Sequence, residues 1–82
     1  MPREKFSIGE SVEVNCENRR GGQRTTCWVP GAVVEADYRM VAVRFDCDVY
    51  SSNGWLIPDH TLWLAHGSKN IRRVGERESA EG

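Results

Sequence analysis

The residues of this chain best suited to chemistry are aromatic side chains set beside carboxylates: Trp28, Tyr38, Phe45, Tyr50, Trp55 and Trp63, with Asp46 and Asp48. An aromatic face carries the negative part of a quadrupole and attracts a cation by about 0.5–2 kcal/mol. A carboxylate adds full charge and can accept an N–H from that cation. The stretch "TTCWVPGAVVEADYRMVAVRFDCD" reads as two strands joined by a tight Asp37–Arg39 turn. Trp28 begins one strand, while Phe45, Asp46 and Asp48 end the other, so they can converge at the hairpin's open end. Phe45 suits a small core as well as such a site, and Trp63 reads as core filler. In "VYSSNGW", Trp55 reads as part of a lid over the core, and Tyr50 fits either a lid or a site.

Three other chemistries find less to work with. Arg19, Arg20 and Arg24 in one polar segment, with Lys69, Arg72 and Arg73 near the end, could meet phosphates, with the steep salt dependence of counterion release. Glu17 and the tail acids dilute that charge, and loop arginines are usually solvated. Cys16, Cys27, Cys47, His60 and His66 lack the close Cys-x2-Cys pairs of structural zinc sites, so each cysteine is expected to be a small half-buried hydrophobe and no metal is implied. No nucleophile motif or phosphate-cradling glycine loop appears, so no catalytic residue and no cofactor are expected and the chain reads as a non-enzyme.

These residues must be positioned by a small fold. With 82 residues, 28% charged and 39% hydrophobic, the chain has the composition of one soluble globular domain with a shallow core. Eleven basic against twelve acidic residues give a net charge that names no partner. Three irregularly spaced cysteines make a poor disulfide framework and point to a cytosolic or nuclear setting; no apolar run suggests a membrane. Residues 1–5 are polar and expected to be disordered, 6–75 form the domain, and 76–82 lose all apolar periodicity and read as a disordered tail. "FSIGESVEVN" predicts a Gly9 turn and a first strand of about five residues, "CENRRGGQRTT" a loop with Gly21-Gly22 at its tip, and "WVPGAVVEA" a second strand. Pro30 should lie at an edge, bulge or strand start. "MVAVRFD" alternates as a third strand, with Val43 expected in the core alongside Val34. A long irregular segment follows, and "TLWLA" and "IRRV" close the pattern. The class is all-β, a small curled barrel.

Trp28-Val29-Pro30-Gly31-Ala32-Val33, Val43-Arg44-Phe45-Asp46 and Asn70-Ile71-Arg72-Arg73 resemble, over Ile8 to Val74, the Tudor and plant Agenet branch of the SH3-like barrels. The first polar segment lacks the aromatic common in that family, Val29 stands where many members carry another, and Arg73 replaces a proline. The resemblance implies an SH3-like barrel of about five antiparallel strands, with a long loop between strands 3 and 4. It also implies an aromatic cage for methylated Lys or Arg in a histone tail or similar peptide, hence a nuclear, monomeric module of a larger protein. Trp28, Phe45, Tyr38 and Tyr50 would wall the cage, and Asp46 or Asp48 would be its anion. Two alternatives stand beside it: a DNA- or RNA-binding module using Arg19, Arg20, Arg24, Lys69, Arg72 and Arg73, and a scaffold domain gripping an unmodified partner through Tyr50–Trp55.

Overall fold

The computed structural model describes residues 5–74, which form one antiparallel sheet and no α-helix. The strands are β1 (Ser11–Arg20), β2 (Gln23–Ala36), β3 (Met40–Phe45), β4 (Asp48–Tyr50), β5 (Thr61–Ala65) and β6 (Ile71–Arg73), with a 3-10 turn at Pro58–His60 before β5. They lie in the order β4-β1-β2-β3-β5, and β6 also pairs with β1. The chain is therefore all-β, as expected, with six strands rather than about five. The expected disordered segments 1–4 and 76–82 lie outside the described residues. Lys5, expected to fray, is placed: its Nζ donates to the Tyr38 carbonyl.

β1 is the hub. β2 pairs along its whole length on one side, while the other side takes β6 over Val12–Val14 and β4 over Glu17–Arg19. Its alternation sends Val12, Val14, Cys16 and Asn18 inward and Glu13, Asn15, Glu17 and Arg19 outward. The segment expected to be a loop is instead an extended hairpin, in register down to Arg20↔Gln23. Gly21 and Gly22 make its two-residue turn with φ of 65° and 88°, the paired positive values of a type I′ turn. The flanking residues are polar on both faces because this arm reaches past the core, so no alternation marks them.

Pro30 sits within a central strand, and the register explains how. The Asn15 N–H donates to Asn70, away from β2. By alternation Glu13↔Pro30 is then a non-hydrogen-bonded pair, and the proline nitrogen faces the β3 side one residue before that ladder starts at Gly31↔Phe45. A bulge at Val34 shifts the register between Val33 and Glu35. It leaves Val33 fully buried and Val34, an expected core residue, half-buried.

Val12, Val14, Val29, Val33, Val41, Val43, Val49, Phe45, Phe6, Cys16 and Ile71 form the core. These are mostly β-branched side chains, stiff and well fitted to a pleated surface. Phe6 seals one end. Its N–H donates to His66 Nδ1 at 3.1 Å, which fixes the proton on Nε2, and that nitrogen donates to the Asp37 carbonyl at 2.6 Å.

Asp37 closes the β2–β3 hairpin, with Oδ1 accepting the N–H groups of Arg39 (2.8 Å) and Met40 (2.7 Å). These bonds, Met40's first, hold its carboxyl below the usual 3.8. A depressed carboxylate stabilises the fold above its unfolded pKa, and that contribution is lost as pH falls through the folded value. The Tm difference between wild type and Asp37→Asn is therefore expected to stay level from neutral pH down to about 5 and to close as acidification passes the usual carboxylate range. A gap that widens in acid would contradict this.

Candidate functional site

The cage residues are dispersed. Phe45 is 3% exposed and packs in the core, where its alternation with Val41 and Val43 puts it. Tyr38 occupies the closed end of the β2–β3 hairpin, opposite to Phe45, with Lys5 and Arg39 at 6.0 and 5.9 Å from its ring centre. Asp46 borders a shallow hollow with Pro30, Gly31, Ala32 and Arg44, and Asp48 pairs with His60 at 3.1 Å.

Trp28 and Tyr50 do share a face. Trp28 is opposite Asn15, and Tyr50 is opposite Glu17, two positions further along the same side of β1. Each ring already holds a cation. The Arg72 guanidinium lies 3.8 Å from the Trp28 ring and donates to Glu13 at 3.0 Å. The Arg24 guanidinium lies 3.8 Å from the Tyr50 ring, donates to Glu17 at 3.0 Å and also reaches the Gly54 carbonyl. The arrangement repeats: arginine on one strand, glutamate on β1, aromatic on the third. Arg19 Nε adds a bond to the Tyr50 hydroxyl.

Between these two sandwiches the sheet is unclosed. β6 stops pairing at Val14 and β4 starts at Glu17, so Asn15 and Cys16 border a gap. A cleft of about 340 Å³ opens there, with Glu17, Tyr50, Ser51 and Asn70 at its sides and Leu62 and Leu64 of β5 as its apolar wall. Alternation directs Leu62 and Leu64 inward and Trp63 outward over Ala42, where it is 51% exposed rather than buried as expected. Trp55, expected to form part of a lid, is 74% exposed, and Val49 of β4 covers the core instead.

Half of the expected basic cluster is neutralised: Arg24 pairs with Glu17, Arg72 with Glu13 and Arg73 with Glu10. Lys69 is exposed, and the side chain of Arg20 lies outside the described residues. Among the described residues no group of three or more His, Cys, Asp or Glu could hold a metal ion. Trp28 and Tyr50 stand out by residue type, whereas Arg24, expected to meet phosphates, and Glu17 meet Tyr50 only because β4 returns to β1 from far along the chain. Compared with protein-family models, curated proteins and solved structures, the chain finds no match.

Proposed function

We propose that the chain is a binding module of the Tudor/Agenet kind, an SH3-like barrel that reads a methylated lysine or arginine of a histone tail or similar peptide in the nucleus. The observation that carries this reading is Arg24, a cation held between the Tyr50 ring and the Glu17 carboxylate at the rim of an open cleft. An aromatic face and a carboxylate are what a methylated ammonium needs, because methylation trades N–H donors for a larger, softer cation. Leu62 and Leu64 supply the apolar wall that methyl groups prefer to water. The return of β6 to β1 and the order of the other strands suit an SH3-like arrangement with an open seam. The paired state of Arg24, Arg72 and Arg73 favours this reading over one built on phosphate contacts.

Arg24 is then an internal competitor that the ligand displaces, leaving Glu17 to accept the incoming charge. Removing a competitor worth about 1–2 kcal/mol should tighten apparent binding by about 5- to 30-fold. Titration of Lys peptides bearing none to three methyl groups against wild type, Arg24→Ala and Glu17→Gln tests this. Methylated peptides should bind tighter than the unmodified one, Arg24→Ala should bind tighter than wild type, and Glu17→Gln should bind weaker. Loss of affinity in Arg24→Ala, or indifference to methylation, would sink the reading.

A further inference from the structure

Cys16 and Cys27 are direct partners in the β1–β2 ladder, and their side chains share the inward face. Cys16 is buried, whereas Cys27 lies where the hairpin arm leaves the core and is exposed. Asn18, with no exposed surface, points its amide at Cys27: Nδ2 is 3.4 Å from Sγ and also donates to the Cys16 and Thr25 carbonyls. The Thr25 hydroxyl lies 4.0 Å from the same sulfur. Asn18 Oδ1, on that same amide, is buried without a hydrogen-bond partner.

We propose that Cys27 is a site of oxidation by hydrogen peroxide and that Cys16 resolves the product into a reversible cross-strand disulfide. Cys27 is the exposed thiol of the pair and can be reached by peroxide, and the thiolate is the nucleophile. The Cys27 thiolate attacks one peroxide oxygen, the S–O bond forms as the O–O bond breaks, and the departing hydroxide takes up the proton that Cys27 released. The hydroxyl of the resulting sulfenic acid is a donor of the kind Asn18 Oδ1 lacks. Cys16 sulfur then attacks the Cys27 sulfur: the S–S bond forms, the S–O bond breaks, and hydroxide leaves with the Cys16 proton as water. Two thiols give up two electrons, and one peroxide becomes two waters.

Burial, with smaller effects of Cys47 and Cys27, pushes the Cys16 thiol up to about 11, so Cys16 is the less readily oxidised of the two and follows Cys27. Hydrogen-bonded partners in an antiparallel ladder have Cα atoms about 5.5 Å apart, inside the range of about 4.4–6.8 Å that a disulfide spans. Their Cβ atoms stand about 5.5 Å apart in a pair of this kind, beyond the usual separation of about 3.8 Å, so closure must draw the strands together. Such a strained bond is readily reduced by thiols.

Peroxide treatment followed by intact mass and non-reducing peptide mapping tests the proposal on the unmutated protein. The expected product is a Cys16–Cys27 crosslink with the loss of two hydrogens, reversed by dithiothreitol. Cys16→Ser, checked for folding by circular dichroism, should leave a Cys27 sulfenic acid that dimedone traps, Cys27→Ser should give neither product, and Cys47→Ser should behave as wild type. A crosslink through Cys47, first oxidation at another cysteine, or no oxidation at Cys27 would overturn it.

Discussion

Asn18→Asp is expected to cost about 3–5 kcal/mol, most of the stability of a domain this small. Asn18 has no exposed surface, and its amide donates to the Cys16 and Thr25 carbonyls. A carboxylate there would turn donors into negative charge against those two oxygens, with no cation described beside it. Asn18→Leu should be far milder, within about 1 kcal/mol of wild type. Alternation from Asn15 makes Cys16↔Cys27 and Asn18↔Thr25 hydrogen-bonded pairs, so both carbonyls keep their ladder partners when the side-chain amide is lost, and the orphaned Oδ1 disappears. Urea titration of the two variants decides it. Equal losses would mean that the amide's bonds, rather than the buried charge, set the cost.

Gly31→Ala should lose about 2–3 kcal/mol through overpacking. An added Cβ would stand 2.7 Å from Val43 Cγ1, 2.8 Å from the Arg44 carbonyl oxygen and 3.0 Å from Phe45 Cδ1. The carbonyl is ladder backbone and cannot step aside without disturbing the β2–β3 register. Ala32, the next residue, faces outward and is exposed, so Ala32→Ser serves as a control near zero. A Tm for Gly31→Ala within a degree or two of wild type would show that β2 and β3 are not this closely apposed.

The strands that bury one face were legible because burial writes a period of two into the sequence: Val12 and Val14, then Val41, Val43 and Phe45. The same alternation placed Phe45 among core valines and set Trp63 opposite to Leu62 and Leu64, a signal outweighed by expectations about aromatics. The outer half of the β1–β2 hairpin was illegible since neither of its faces is covered, so only Gly21-Gly22 marked it. β4 spans Asp48–Tyr50, too short to show a period. At the candidate site, Trp28 and Tyr50 could be picked out by type. Their being filled by Arg72 and Arg24 could not, because each contact joins strands whose adjacency the fold alone creates. Cys27 departs from the half-buried state expected of it for the same reason as the hairpin arm: it lies where β2 outruns the core.

The double duty of β1 bears on how the chain assembles in time. Its pairing with β2 needs only a two-residue turn, and β2–β3 is likewise local, so each can zip without closing a large loop. Pairing of β1 with β6 joins Val12–Val14 to Ile71–Arg73, and the ion pairs Glu13–Arg72 and Glu10–Arg73 span the same closure. The entropy of joining such distant segments must be lost before any of those contacts forms. The hairpins are therefore the early structure, and the seam beside β6 is the last to set. Contacts made only after the barrier leave the folding rate alone and slow the reverse step. The clasp that frames the cleft thus governs how long the native state persists rather than how fast it is reached.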